Sequence, residues 1–193
     1  MIMCFTRVVS LMRGLLLFMT FCKCVHGVSI ESQTPRELQY RVKAAFLYSF
    51  AEFVTWPTNA FPTADSPIII GVFGTDPFGP ILDDTVRGKV IDGRPIVLKR
   101  FQEIDQVKRC QRWHMLFISK SEHARLSKVF AELRGRNILT VGESEQFAAQ
   151  GGMIQFFEQE NRVRFTINLT ASKLASLSIS SKLLRVAARL MEE

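Results

Sequence analysis

Residues Pro67-Ile68-Ile69-Ile70-Gly71-Val72-Phe73, followed at once by Gly74-Thr75-Asp76-Pro77-Phe78-Gly79, decide the fold class. The first seven form a continuous apolar run rich in branched residues, the pattern of a strand covered on both faces. The Gly/Asp/Pro cluster turns the chain. Asp76, with Pro77 behind it, reads as the N-cap of a short helix that runs through Val86. The same strand-then-helix order recurs downstream. His114-Met115-Leu116-Phe117-Ile118 is a second buried strand. Ser119 to Ser121 cap a helix carrying Ala124, Leu126, Val129, Phe130 and Leu133, and Gly135 closes it by taking the left-handed conformation a helix end needs. Asn137-Ile138-Leu139-Thr140-Val141 is a third strand, with a short helix over 143–149. Strands alternating with helices predict a layered, largely parallel α/β sheet.

The flanks complete the architecture. Upstream, Thr34 accepts from the backbone of Glu37 in a capping box, and Pro35 occupies the first helical position, where its missing N–H costs nothing. Leu38, Val42, Ala45, Phe46, Phe50 and Phe53 recur at helical spacing, and Trp56-Pro57 ends the helix. Lys89-Val90-Ile91 and Ile96-Val97-Leu98, split by Asp92-Gly93, read as a hairpin or a kinked strand, and 102–108 as a short helix. Downstream, Met153 to Phe157 and Arg162 to Ile167 flank Glu158-Gln159-Glu160-Asn161. Val163, Phe165 and Ile167 face one way and Arg162, Arg164 and Thr166 the other, which predicts an antiparallel hairpin with one wet face. Phe156 and Phe157 point to opposite faces of such a strand, so one of them lies under a helix or at a contact. Asn168 caps a helix over 169–175, and an apolar stripe at Leu183, Leu184, Val186, Ala187 and Leu190 predicts a terminal helix. The expected fold is a single α/β domain: a mixed, mostly parallel sheet flanked by helices on both faces, with a C-terminal antiparallel hairpin and a terminal helix.

Residues 1–27 divide into the parts of a secretory signal: Arg7 and Arg13, then Gly14 to Phe21 as an apolar core, then Val25-His26-Gly27 with small residues where cleavage requires them. The apolar core is shorter than the roughly 20 residues a membrane span needs. The expected organisation is a cleaved export signal over 1–27 and one domain over 28–193. Three of the four cysteines, Cys4, Cys22 and Cys24, leave with the signal. The remaining Cys110 cannot make an internal bridge; it is either a buried apolar residue or a free thiol able to pair with a second chain. Removing Arg7, Arg13 and Lys23 reduces the formal charge from +7 to +4. That excess is scattered and lacks the coherent basic face of a nucleic-acid binder.

The sequence announces no chemistry. His114 and His123 lack metal-motif spacing, and one Cys with two scattered His does not supply the convergent ligands of a zinc site. No Gly-x-Ser-x-Gly elbow exposes a serine. Gly74 and Gly79 have the spacing of a phosphate loop, but Pro80-Ile81 stands where Lys-Ser/Thr would touch phosphate and metal. Asp83-Asp84 and Glu192-Glu193 are adjacent pairs that do not face each other on a helix. Cys110, beside Lys108, Arg109 and Arg112, has no assured base partner. No catalytic residue, metal ligand or cofactor is assigned.

Several stretches, taken together, resemble the YfiR family of periplasmic proteins. They are Tyr40 to Phe50 with Phe53-Val54-Thr55-Trp56-Pro57; Gly74 to Gly79; Leu116 to Glu122; Leu139-Thr140-Val141 leading to Phe147-Ala148 and Gly151-Gly152-Met153-Ile154; Asn161 to Phe165; and Ile179 to Leu184. The resemblance implies a mixed α/β sheet, a tendency to form homodimers and a regulatory role without catalysis. In the best-known member it implies binding to the periplasmic domain of an inner-membrane diguanylate cyclase. The cyclase is held inactive until an outer-membrane lipoprotein sequesters the regulator, whereupon cyclic di-GMP rises and biofilm forms. The redox-sensitive disulfides of that family do not carry over to a chain with Cys110 alone, and Trp113 stands where the resemblance leads one to expect a Cys. The matched motifs are mainly structural, so no binding residue is transferred from the family. From the residues themselves, the expected partner surface is the hairpin and last helix, with Phe157, Arg162, Arg164 and Lys182. The alternatives are an adaptor for a different membrane signalling system and a small-ligand sensor whose crevice, at the carboxyl ends of the parallel strands, is lined by Thr75, Asp76 and Ser119.

Overall fold

The computed structural model describes residues 34–109 and 112–192. The signal-peptide expectation for 1–27 and the environment of Cys110 lie outside the described residues. Helix α1 (Pro35–Phe53) begins as its capping residues dictate: Thr34 Oγ1 accepts from the Glu37 amide at 3.2 Å, and Glu37 pairs with Arg41 one turn on at 3.0 Å. It runs into β1 (Val54–Thr55). Then follow β2 (Ile68–Phe73), α2 (Pro80–Val86), β3 (Val90–Ile91), β4 (Arg94–Phe101), α3 (Ile104–Arg109) and β5 (Met115–Ile118). A 3-10 segment (Lys120–Arg125) leads into α4 (Leu126–Leu133) and β6 (Leu139–Gly142). The chain ends with β7 (Ile154–Gln159), β8 (Arg162–Asn168), α5 (Leu169–Leu174), β9 (Ser178–Ile179), α6 (Ser181–Val186) and β10 (Arg189–Met191).

Eight strands form one sheet in the order β10-β8-β7-β6-β5-β2-β4-β3. The pairs β4/β2, β2/β5, β5/β6, β6/β7 and β8/β10 are parallel, while β3/β4 and β7/β8 are antiparallel hairpins. Each hairpin closes with two residues at positive φ, Asp92-Gly93 and Glu160-Asn161, the geometry that matches strand twist. A separate two-stranded clip, β1 with β9, ties the end of α1 to the segment before α6.

Two apolar layers sandwich the sheet. On one face α1, α2 and α6 cover Ile70, Val72, Phe117, Val141, Phe156 and Phe165. Phe46 and Phe50 lie 5.1–6.1 Å, centroid to centroid, from Phe156 and Phe165. On the other face α3 and α4 cover Phe73, Trp113, Leu116 and Ile118. No helix among the described residues is long and apolar enough to cross a membrane.

Four expectations are corrected. The buried side of α1 is Ala44, Leu47, Phe50 and Ala51, with Phe46 and Phe53 half-buried; Leu38, Val42 and Ala45 face out. Ala44 and Ala51, 0% and 1% exposed, take inward positions that helical spacing of the larger apolar residues does not mark. The 143–149 segment is a series of turns rather than a helix. It inserts the Phe147 ring between Gly142 and Gly152, where an added Cβ would come within 2.4 Å and 2.2 Å of the ring. Asp76 does not cap α2, whose N-cap is Gly79; its Oδ1 instead accepts from the Phe78 amide at 2.8 Å, a local turn two residues long. The terminal helix stops at Val186. Ala188 donates to Phe165 O at 3.0 Å, and residues 189–191 add an edge strand parallel to β8, because backbone pairing there supplies the bonds a frayed helix end would lack.

Candidate partner-binding surface

The residues expected to line a ligand crevice do sit together, at the point where the strand order reverses. Chain order runs from β2 outward to β4 on one side and returns to β5 and β6 on the other, so the loops after β2 and β5 diverge there. Protein groups supply hydrogen-bond partners there. The Thr75 amide donates to Ser121 Oγ at 3.0 Å, and Ser119 Oγ accepts from the Ser121 amide. Gly74, at φ +91, lies so near Ser121 and Glu122 that an added Cβ would meet them at 2.5 Å and 2.7 Å. Asp76 is likewise engaged: Arg100 Nε reaches its Oδ2 at 2.6 Å while the same guanidinium holds Asp83 and donates to Gly79 O. The hydrogen bond from Arg100 holds the Asp83 carboxyl below its ordinary range. This network pins the 76–79 loop and the start of α2 to β4.

The same end of the sheet carries a second internal cluster. Tyr40 Oη donates to Glu143 Oε1 at 3.1 Å, and Lys43 Nζ reaches Glu143 Oε2 at 2.5 Å and lies 4.5 Å from the Tyr40 ring centre. Burial first, and then the Glu143 carboxylate, push the Tyr40 hydroxyl up to about 12. At the opposite end His114 is buried. Its Nδ1 accepts from the Ile69 amide at 3.0 Å, which places the ring proton on Nε2, 3.3 Å from Ala60 O. Burial lowers its pKa. Both clusters satisfy themselves with protein partners. Among the described residues no group of three or more His, Cys, Asp or Glu is placed to hold a metal ion.

The hairpin face differs in kind. On the α3/α4 side of the sheet the apolar layer ends near β6. Beyond it, pairing puts Gln159 opposite Arg162, Phe157 opposite Arg164, and Gln155 opposite Thr166, whose other neighbour is Arg189 of β10. Because strand side chains alternate, Phe157, Arg162, Arg164 and Arg189 share that face while Phe156, Val163, Phe165 and Ile167 enter the core. Phe157 is half-buried, and the Arg189 guanidinium lies 4.9 Å from its ring centre. None of the three arginines forms an ion pair among the described residues, and Glu158 on β7 points to the other face. The result is an aromatic platform with three unpaired guanidiniums, suited to a carboxylate-bearing protein surface.

Three of the four residues expected at the partner surface therefore come together: Phe157, Arg162 and Arg164. Lys182 does not join them. It is exposed at the start of α6, which packs with α1 on the opposite side of the sheet. Arg189 was missed because its segment reads as the end of a helix; the only signal for a strand was the short run Arg189-Leu190-Met191 after Ala187-Ala188.

Comparison with known proteins agrees with this architecture. Among solved structures, a conserved domain protein from Vibrio cholerae O1 biovar eltor is similar at 10% identity and a TM-score of 0.53, covering 77% of this chain. The ABC domain from Streptococcus pneumonia in complex with L-Trp is similar at 8% identity and a TM-score of 0.49, covering 81%. This chain spans 60% of the length of each, and at such identity the first shows a shared α/β fold alone. Comparison with curated proteins returns no match. The YfiR/HmsC-like family model matches residues 40–188, which takes in most of α1, the whole sheet up to the approach to β10, and the hairpin that carries Phe157, Arg162 and Arg164. A match over that span, with the motifs in the family's order, makes this chain a member of the YfiR/HmsC-like family.

Proposed function

We propose that this protein is an exported regulatory binding protein that represses an inner-membrane diguanylate cyclase by engaging its periplasmic domain, and so lowers cyclic di-GMP. Residues 1–27 direct export and 28–193 form the regulatory domain, acting as a homodimer in the periplasm, with an outer-membrane lipoprotein as the candidate antagonist. Family membership supports the regulatory role. The observation that carries the reading to particular residues is the open hairpin face with Phe157, Arg162, Arg164 and Arg189. A binder represses only if it prefers the inactive state: moving a two-state cyclase from mostly active to mostly inactive takes about 5 kcal/mol of differential affinity. A few desolvated aromatic and Arg anchors supply free energies of that order.

The test is genetic and direct. Deleting the gene raises cyclic di-GMP, and a chain carrying R162E and R164E fails to restore the low level although it is exported and folded. If the reversed chain represses as well as the wild type, the surface assignment is wrong. If deletion leaves cyclic di-GMP unchanged, the regulatory target is not a cyclase.

A further inference from the structure

A cleft of about 870 Å³ opens on the α3/α4 side of the sheet, at the amino ends of β6 and β7. It lies between the end of α4, the 149–151 turn and α5, away from the crevice at the carboxyl ends of the strands. Its size falls in the range of small-molecule sites, roughly 300–1,000 Å³. The floor is apolar and buried, with Leu133, Ile138 and Met153, and the half-buried Phe130 and Met191 form its walls. Leu174 stands at its rim, 79% exposed, and extends the apolar lining outward.

The charged groups of the cleft are of one sign, among neutral polar side chains that include Ser127, Gln150 and Asn168. Its lining contains two arginines and no Asp or Glu. Arg136 is committed, with Nη1 donating to Val107 O at 3.0 Å. Arg134 is exposed at the rim and has no side-chain partner among the described residues. On the floor Thr140 is 3% exposed. Its Oγ1 accepts from the Met153 amide at 3.0 Å, which leaves the hydroxyl proton without an acceptor among the described residues. A buried hydroxyl donor left over in an apolar cleft favours a ligand that brings an acceptor.

We propose that this cleft binds a small anionic amphiphile, its apolar body against Phe130, Met153 and Met191 and its anionic head at Arg134. The inference is independent of the hairpin surface, because Arg162, Arg164 and Phe157 do not line the cleft.

The test uses the purified protein and 8-anilinonaphthalene-1-sulfonate, an aromatic anion that fluoresces on entering an apolar site. Saturable, one-to-one enhancement is expected, displaced by decanoate but not by decanol. Ala131 lines the cleft and is exposed, so A131W fills the space without entering the core and abolishes binding. R134E weakens binding about five- to tenfold, the loss of one partly exposed ion pair plus repulsion. S127W, at another exposed lining position, gives an independent block should A131W unfold, with circular dichroism as the check on folding. Absence of saturable binding, or binding indifferent to A131W and S127W in folded protein, overturns the site. Equal displacement by decanol, or indifference to R134E, overturns the anionic specificity.

Discussion

His114 couples the stability of this fold to mild acid, and the structure fixes the sign. The ring is 2% exposed, stacked on Phe61 at 4.4 Å, with the Arg94 guanidinium over the Phe61 ring at 3.8 Å. Nδ1 accepts from the Ile69 amide, so the neutral tautomer is built into the start of β2. A second proton on Nδ1 would set two donors against each other in a buried place, next to the Arg94 charge. Burial, with Arg94 adding to it, therefore holds the folded-state pKa below the ordinary value of 6.5. Above that value neither state takes up a proton and the term is absent. As pH falls below it, the unfolded chain binds a proton that the folded chain refuses, and stability is lost until the folded pKa is reached. At one pH unit below the unfolded pKa the loss is at most about 1.4 kcal/mol. The assay is urea unfolding between pH 7.5 and 5.5 for the wild type and H114N, in a range where carboxylates stay ionised in both. The wild type should lose more stability than the variant over that interval, by no more than about 1.4 kcal/mol. Equal slopes, or a wild type that gains stability on acidification, would refute the buried neutral imidazole.

Two further predictions follow from packing and charge. Gly152→Ala drives a methyl to within 2.2 Å of the Phe147 ring and 2.7 Å of its carbonyl oxygen, so it should cost about 1–3 kcal/mol, seen as a Tm lowered by several degrees; an unchanged Tm contradicts the inserted ring. Tyr40 should ionise near pH 12, and Tyr40→Phe should delete that step from a phenolate absorbance titration. Because its folded pKa lies above the unfolded value, Tyr40 contributes stability that is whole below pH 10 and lost as pH rises toward 12.

The strands were legible in the sequence because their signals are local. Ile68 to Phe73 and Met115 to Ile118 are unbroken apolar runs, and the alternation of Arg162 to Ile167 names its own wet face. What escaped depended on tertiary partners. Nothing near Phe147 says that Gly142 and Gly152 leave room for its ring, so a turn reads as a helix. Leu183 to Leu190 keeps helical spacing, yet backbone pairing with β8 takes over after Val186 and carries Arg189 to the hairpin face. Thr75, Asp76 and Ser119 lie just beyond the carboxyl ends of β2 and β5. Arg100, 24 residues after Asp76, and Ser121 engage Asp76 and the Thr75 amide, and no local pattern announces that. Lys182 belongs to the last helix, whose packing on the opposite side of the sheet from the hairpin's wet face depends on tertiary contacts that the sequence does not announce.

Repression by direct contact requires the hairpin face to bind a partner. The direct measurement is calorimetric titration of the purified protein with the periplasmic domain of a diguanylate cyclase from the same cell, repeated with R164E/R189E and with K182E. Saturable binding that weakens at least tenfold in R164E/R189E, about 1.4 kcal/mol or more, and is unaltered in K182E is the predicted result. Binding that is unaltered in R164E/R189E, or lost in K182E instead, would contradict it.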